Sequence, residues 1–229
     1  MPTVDNALVI LTKTPEPGQS KTRLVPPLSF EEAAELARAV LLDQLQNLAR
    51  FTAAQLFIAF TPPSAASFFE ALLPREASCF YQQGDSLGDR MRHAFDVLFS
   101  RSFSRVLLIG GDLPAVPLEA LADAVAALEN NTEIVLGPSL DGGYYLVGMS
   151  RMIPEIFEGI IWSRPDVLTL TTAKLVALKR KYKLISPWYD IDTIDDLRHL
   201  KSDIAAAPAG FMKNTLALLQ KFKQGGKLI

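Results

Sequence analysis

The feature that most constrains the fold of this chain is a repeated alternation between short apolar runs and longer segments with helical periodicity. Such alternation is typical of a mostly parallel sheet whose strands are connected by helices. Several runs are continuously apolar, as expected for strands that are buried on both faces. The predicted strands span residues 8–12, 56–60, 78–82, 106–109, 134–137, 144–147 and 184–188.

Capping signals predict where the helices begin. A serine or threonine followed three residues later by an acid is typical of a helix N-terminus. Pro117 opens a further helix, because proline suits the first helical turn, and residues 64–72 form another candidate. The helix that begins at Ser163 is expected to run to about residue 182. The four capping pairs are Ser29 with Glu32, Ser86 with Asp89, Ser163 with Asp166, and Thr193 with Asp196.

The length of 229 residues predicts one large domain, and the pattern is interrupted only after about residue 203. We therefore expect a single domain at 1–203, followed by a linker and an amphipathic tail helix at 204–229. The apolar face and the lysines of this tail suit either packing on the domain or contact with a membrane surface or a partner.

Composition excludes several classes of protein. Hydrophobic residues make up 49% and charged residues 21% of the chain, which is incompatible with intrinsic disorder. A net charge of −2 provides no overall attraction to nucleic acid. The single Cys79 and the two histidines exclude an intramolecular disulfide and a Cys/His zinc site. Without a signal-like or membrane-length apolar run, we expect a cytoplasmic protein that lacks a transmembrane segment.

Polar, glycine-rich and proline-rich segments follow the predicted strands at residues 13–23, 110–117, 138–143 and 190–193. In open α/β sheets, ligands bind beyond the carboxyl ends of the strands. These segments are therefore expected to meet in one cleft.

A basic loop comes first. Lys13, Lys21 and Arg23 lie in a segment stiffened by Pro15 and Pro17, and they suit a phosphate group. The alternative is an exposed basic loop with turn prolines. Neither a Walker motif nor G-x-G-x-x-G is present.

Three acids follow predicted strands. Asp112 comes directly after a buried strand, and Asp190 and Asp192 flank Ile191, so that their side chains can point the same way in extended chain. Carboxylates suit Mg²⁺ together with substrate phosphates. A helix cap for Asp112 and a loop role for the later pair are the alternatives.

Two further segments suit substrate contact. Gly142 and Gly143 allow close approach of the backbone to a ligand, with Asp141 before them and Tyr144 after them. A plain hairpin turn explains the same residues. Segment 84–90, which contains Gly88 and Arg90, could present a helix N-terminus to an anion or be a capped helix start. Trp162 could line a pocket or pack in the core.

These motifs together resemble the small GT-A-type transferases known as radical-SAM/selenodomain-associated transferases, within the nucleotide-diphospho-sugar transferase superfamily. The resemblance covers residues 7 to about 200. It depends on K-T-P-E-P-G-Q-S-K-T-R-L, G-D-S-L-G-D-R-M, G-G-D-L-P, L-G-P-S-L-D-G-G-Y-Y-L-V-G, F-E-G-I-I-W-S and D-I-D-T. It implies a Rossmann-like GT-A three-layer sandwich, with a mixed, mostly parallel sheet and helices on both faces.

The resemblance also implies roles for individual residues. Mg²⁺ or Mn²⁺ would be held by Asp112 with Asp190 or Asp192. The sequence does not choose a catalytic base, for which Asp141 and Asp192 are the two candidates. Many relatives carry a second acid where this chain has Ala115, which weakens the expected metal site. The expected nucleotide- and phosphate-binding residues are Lys13, Gly18, Lys21, Arg23, Gly88 and Arg90, and the expected substrate-binding residues are Gly142, Gly143, Tyr144 and Trp162.

Three functions are compatible with this pattern. The first is glycosyl transfer from a nucleotide-sugar to a small-molecule acceptor, with a divalent metal stabilising the departing diphosphate. The second is nucleotidyl transfer of the guanylyltransferase type from a nucleoside triphosphate, with release of pyrophosphate. The third is nucleotide binding without catalysis. The sequence leaves open whether the protein is a homo-oligomer.

Overall fold

The structure is a computed structural model that describes residues 5–206 and 210–227. The strands of the described chain are β1 (Asn6–Lys13), β2 (Gln55–Thr61), β3 (Ser78–Tyr81), β4 (Arg105–Gly110), β5 (Ile134–Pro138), β6 (Tyr144–Met149) and β7 (Tyr182–Leu184). Its α-helices are α1 (Phe30–Leu48), α2 (Ala66–Glu70), α3 (Leu87–Ser100), α4 (Leu118–Glu129), α5 (Val167–Ala177), α6 (Ile194–Ala206) and α7 (Lys213–Gln224). Short 3-10 helices cover Thr22–Leu24, Pro63–Ala65 and Pro154–Phe157.

The strands form a seven-stranded sheet in the order β3-β2-β1-β4-β6-β5-β7 within the described residues. Neighbouring strands are parallel except at β6, which is antiparallel to both β4 and β5. The sheet is therefore mixed and mostly parallel, as predicted. Because β6 runs in the opposite direction, its first residue, Tyr144, lies at the same edge of the sheet as the carboxyl ends of β1 and β4.

Alternate residues of β1 belong to two different cores. Leu8 and Ile10 pack with Leu41 of α1, in a cluster to which α2 and α4 also contribute. Ala7 and Val9 belong to the cluster on the opposite face, formed with α3 and α5. Side chains alternate between faces along a strand, so that the helices cover both sides of the sheet. This arrangement confirms the predicted three-layer fold.

The tail helix α7 packs on α1. The buried carboxylate of Asp43 in α1 accepts hydrogen bonds from the backbone N–H groups of Asn214 at 3.1 Å and Thr215 at 2.8 Å. These are first-turn N–H groups of α7, which have no partner within the helix itself. In the predicted linker, residues 207–209 lie outside the described residues, and a domain boundary at residue 203 stays a prediction.

The last predicted strand is placed wrongly. It was expected at 184–188, but β7 ends at Leu184, and from this stretch Trp188 forms only an isolated bridge to Ser139. Pro187 has no backbone N–H to donate to a neighbouring strand, so it disfavours continued pairing.

The capping prediction at Ser163 is also wrong, whereas the capping boxes at Ser29 and Ser86 are confirmed. Ser163 has a φ of 62°, while an N-cap residue takes an extended backbone. Asp166 pairs with Arg164 instead, and α5 begins at Val167 and ends at Ala177 rather than near residue 182. Thr193 and Asp196 do exchange hydrogen bonds at the start of α6.

No helix within the described ranges is both long and apolar enough to cross a membrane.

Candidate functional site

A cleft of about 360 Å³ opens beyond the carboxyl ends of β1 and β4 and beside the loop that joins β5 to β6. Three of the four segments predicted to meet there line the cleft. The fourth, the basic loop, lies at its edge. The predicted residues that line the cleft are Asp112, Asp141, Gly143, Tyr144, Trp162, Asp190 and Asp192. Those that lie outside its lining are Lys13, Gly18, Lys21, Arg23, Gly88, Arg90 and Gly142.

Lys21 joins two strand-end segments beneath the cleft. Its side chain is 1% exposed, and its Nζ lies 3.1 Å from Asp112 Oδ1 and 3.8 Å from Asp192 Oδ1. The same ammonium donates to the carbonyl oxygen of Ile191 at 2.5 Å. Charge attraction from Lys21 lowers the pKa of the Asp112 carboxyl. The expected role of Lys21 in phosphate binding stays a prediction, since its ammonium already has protein partners.

Arg23 is the exposed cation beside these acids. Its side chain is 73% exposed, and its guanidinium lies 3.8 Å from Asp192 Oδ2. Lys13 donates from Nζ to the carbonyl oxygen of Gln19 at 2.6 Å, which closes the basic loop on itself. Gly18 occupies the turn of this loop with a φ of 75°, a conformation that favours glycine.

Asp190 lies at the centre of the acidic part of the cleft. Burial raises the pKa of its carboxyl to about 6, and repulsion from Asp141, Asp192 and Asp112 acts in the same direction. A hydrogen bond from Ser139 Oγ at 2.8 Å opposes this rise in pKa. Burial is thus the main cause of the raised pKa, and the neighbouring carboxylates add to it.

The acids are arranged as a partial rather than a complete metal site. Across residues 5–206 and 210–227, no group of three or more His, Cys, Asp or Glu side chains is positioned to hold a metal ion. Asp112 and Asp192 nevertheless lie on either side of the Lys21 ammonium, at 3.1 and 3.8 Å, and each has a second carboxylate oxygen. Mg²⁺ commonly binds one or two carboxylates and completes its shell with waters and substrate phosphates. These two residues fit such a partial donor set.

Ala115 stands where the resemblance implies a second acid, and it lies outside the lining of the cleft. It is 3% exposed and packs in the core between α1, α6 and α7, and its N–H lies 3.5 Å from Met212 Sδ. A carboxylate at this position would be buried among apolar side chains. Alanine here therefore fits the core of this chain and removes no group from the lining of the cleft.

The β5–β6 loop holds its two glycines differently. Asp141 Oδ1 accepts a hydrogen bond from the Gly143 N–H at 2.9 Å, which fixes the loop beside the cleft. Gly142 has a φ of 90°, and a Cβ at this position would lie 2.0 Å from the carbonyl oxygen of Pro165. Packing against the segment before α5 thus explains Gly142, and its expected contact with substrate stays a prediction.

Tyr144 and Trp162 form an aromatic wall. Their ring centroids are 6.3 Å apart, and the rings are nearly perpendicular at 88°. The indole rests on Gly88, where a Cβ would lie 2.8 Å from Trp162 Nε1. Arg90 donates from Nε to the carbonyl oxygen of Gly84 at 3.1 Å. Gly88 and Arg90 therefore have packing roles, and their contact with a nucleotide stays a prediction.

Among the lining residues that sequence reasoning did not single out, Ser139 and Arg164 carry polar groups that bond to acids. Ser139 is the hydrogen-bond donor to Asp190. Arg164 forms a two-pronged pair with Asp166, at 3.1 and 3.0 Å. The R-P-D segment after Ser163 was a usable signal for this pair, but it was interpreted as a helix start.

A mixed, mostly parallel sheet with a polar cleft at its carboxyl edge defines a Rossmann-like protein of the type shared by GT-A and nucleotidyltransferase folds. The chain belongs to the family described as "Uncharacterized protein conserved in bacteria (DUF2064)", whose model matches residues 44–164.

The chain is also similar to individual proteins, both in sequence and in structure. A "Phosphoenolpyruvate guanylyltransferase" of Mycobacterium leprae (strain Br4923) is 28% identical over 144 residues, which cover 62% of this chain and 65% of that relative, slightly less than two thirds of its length. The crystal structure of a "putative nucleotide-diphospho-sugar transferase" from Desulfovibrio desulfuricans G20 is 34% identical, with a TM-score of 0.87 and coverage of 97% of this chain and 96% of that one.

A cytidylyltransferase from Leptospira borgpetersenii serovar Hardjo-bovis (strain JB197) is 15% identical, with a TM-score of 0.62 and coverage of 97% of this chain and 95% of that one. At this identity the likeness shows the fold alone.

Proposed function

We propose that this protein is a transferase that uses a nucleotide-diphospho-sugar as donor and passes the sugar to a small-molecule acceptor. One observation carries the proposal: the exposed Arg23 and the buried Lys21 meet the carboxylates of Asp112 and Asp192 at the edge of the cleft. Cations and carboxylates in this arrangement suit a diphosphate and a divalent metal. The similar D. desulfuricans structure supports the same class of donor.

In this proposal, the basic loop stabilises the departing diphosphate. Arg23 is exposed and can turn from Asp192 to phosphate oxygens, with Lys13 as a second cation on the same loop. Lys21 acts from below as a positioning residue, because it holds Asp112 and Asp192 in place. Charge on the diphosphate grows in the transition state, so cations placed there in advance lower the barrier.

Asp112 and Asp192 would hold Mg²⁺ or Mn²⁺, which would supply further positive charge for the same diphosphate. Asp141, in the loop between β5 and β6, lines the cleft and is one of the two candidate bases. Asp192 is the other candidate, and it would combine this role with metal binding. Either carboxylate would take the proton from an acceptor hydroxyl as the bond to the sugar forms.

The proposal also covers three further properties of the protein. They are membership of the radical-SAM/selenodomain-associated group, a cytoplasmic location, and a transferase domain at residues 1–203 followed by a tail at 204–229.

Nucleotidyl transfer is the second candidate. It is favoured by the similarity to the M. leprae guanylyltransferase. In this reaction an acceptor phosphate attacks the α-phosphorus of a nucleoside triphosphate, a new phosphoanhydride bond forms, and pyrophosphate leaves. The same cations would then stabilise pyrophosphate instead of a nucleoside diphosphate.

Product analysis separates these reactions. The protein is incubated with Mg²⁺ or Mn²⁺, a panel of nucleotide-sugars and a mixture of small hydroxyl-bearing acceptors, and separately with nucleoside triphosphates plus phosphoenolpyruvate. We expect release of a nucleoside diphosphate from one nucleotide-sugar, and a loss of at least tenfold in rate for Arg23→Ala. Pyrophosphate release from a triphosphate would favour the second candidate. Nucleotide binding without either product would indicate a binding protein and refute both enzyme proposals.

A further inference from the structure

We infer that the acceptor bound in this cleft is an uncharged or cationic molecule with a ring or other apolar surface, and not a small anionic acid. This inference rests on the proposed transferase function and names the class of its second substrate. It depends on two independent features of the cleft, its charge and its aromatic wall.

The charges of the cleft disfavour an anionic acceptor. Within the described ranges, the charged groups that line it are four carboxylates and one guanidinium. The carboxylates are those of Asp112, Asp141, Asp190 and Asp192, and the guanidinium is that of Arg164. Arg164 is already paired with Asp166 through two hydrogen bonds at 3.0 and 3.1 Å, so much of its charge is compensated.

The basic loop does not reverse this balance. Lys21 is buried and committed to Asp112, Asp192 and Ile191, and Arg23 faces Asp192 at the rim. Even if the donor phosphates and a metal engage Asp112 and Asp192, two further carboxylates, Asp141 and Asp190, still line the cleft. An acid in the acceptor position would have to approach these like charges in a partly desolvated space.

Another part of the cleft lining is an apolar wall. Tyr144 and Trp162 present their rings, and Leu87 and Met91 from the first turns of α3 complete this wall. Leu87 is 44% exposed, although it is a large apolar residue. Aromatic side chains favour the apolar faces of sugar and planar rings.

Gly88 lets Trp162 take this position. A Cβ on residue 88 would lie 2.8 Å from the indole Nε1 and 2.9 Å from Cζ2, so that any larger residue would push the ring away from α3. The aromatic wall is therefore built into the packing of α3. An acceptor with a ring can stack on this wall while a hydroxyl group faces Asp141 or Asp190.

The inference can be tested by ligand binding to Trp162. The chain has two tryptophans, so Trp188→Phe leaves Trp162 as the single indole reporter. With UDP or GDP and Mg²⁺ present, quenching of Trp162 fluorescence is titrated with phenyl β-D-glucoside, an uncharged ring probe, and with phosphoenolpyruvate, an anionic probe. Saturation-transfer NMR on the unaltered protein makes the same comparison without a substitution.

We expect the glucoside to bind at least tenfold more tightly than phosphoenolpyruvate, and Gly88→Ala to weaken glucoside binding severalfold. Ile161→Ala is the matched control, because the neighbouring Ile161 is 64% exposed and does not line the cleft. Asp141→Asn should strengthen binding of phosphoenolpyruvate, since it removes a like charge. Equal or tighter binding of phosphoenolpyruvate, or no binding of the glucoside, overturns the inference.

Calorimetry with the nucleotide alone separates this inference from the function on which it rests. If nucleotide binds but phosphoenolpyruvate is the preferred second ligand, the inference about the acceptor fails and the transferase proposal stands. If none of the nucleotides and nucleotide-sugars binds, it is the transferase proposal that fails.

Discussion

Replacing Asp190 with asparagine is expected to stabilise the protein above about pH 6 and to have little effect near pH 4. The carboxyl of Asp190 has a pKa raised from 3.8 to about 6, chiefly by burial and then by repulsion from neighbouring acids. Between these two pH values, the native protein keeps a proton that the unfolded chain has lost. Binding of this proton favours the native state, and this contribution to stability is lost as the pH rises through 6. Asparagine stays uncharged at every pH and so avoids the loss.

The size of the effect follows from the two pKa values. Their difference of about two pH units corresponds to about 3 kcal/mol in the free energy of unfolding. Because Asp190 keeps partial contact with solvent, we expect a gain of roughly 1–3 kcal/mol at pH 8. Asparagine retains a side-chain oxygen that can still accept the hydrogen bond from Ser139.

Urea denaturation of the wild type and of Asp190→Asn at pH 4, 5, 6, 7 and 8 measures this difference directly. Asp195→Asn serves as the control, because Asp195 is 84% exposed, and we expect it to show no comparable gain. Equal stability of Asp190→Asn and wild type at pH 8 would refute the reasoning. A gain that is the same at pH 4 and pH 8 would also refute it, since that gain could not come from titration.

The remaining predictions concern the basic loop, the tail helix and the hairpin loop. Arg23→Ala should weaken nucleoside diphosphate binding by roughly 1.5–3 kcal/mol in calorimetry, and unchanged affinity would remove Arg23 from the phosphate site. Asp43→Ala should lower the free energy of unfolding by roughly 2–4 kcal/mol, because it leaves the first N–H groups of α7 without their acceptor; a loss below about 0.5 kcal/mol would contradict this. Gly142→Ala should cost roughly 2–4 kcal/mol, because a Cβ would meet the carbonyl oxygen of Pro165. Gly159→Ala, also at positive φ but in open space, should cost only about 1 kcal/mol in the same denaturation assay, and equal losses would rule out the clash.

Much of the architecture could be predicted from the chain alone. Continuous apolar runs determine which segments enter the sheet, because a strand buried on both faces cannot carry charge. Local capping pairs determine where α1, α3 and α6 begin, since the groups that bond are three residues apart. The prediction was wrong where one residue changed the local backbone, at the positive φ of Ser163 and after Leu184.

The site could be located but not assembled from the sequence. Strand ends predicted correctly that Asp112, Asp141, Asp190 and Asp192 would share one cleft. The chain alone could not show that Ser139 supports Asp190. Nor could it show that Gly88 seats Trp162, since residues far apart in the chain must first be packed together.

The sequence by itself determined the order of strands and helices along the chain, most of the capping sites and the identity of the acids at the strand ends. The tertiary structure decided what those residues contact. Lys21 lies 91 positions before Asp112 and 170 before Ile191, yet one ammonium group bonds to both. The pKa of Asp190 likewise depends on burial and on three other carboxylates. Propensity and periodicity act over a few residues, whereas burial and charge depend on which distant segments the fold brings together.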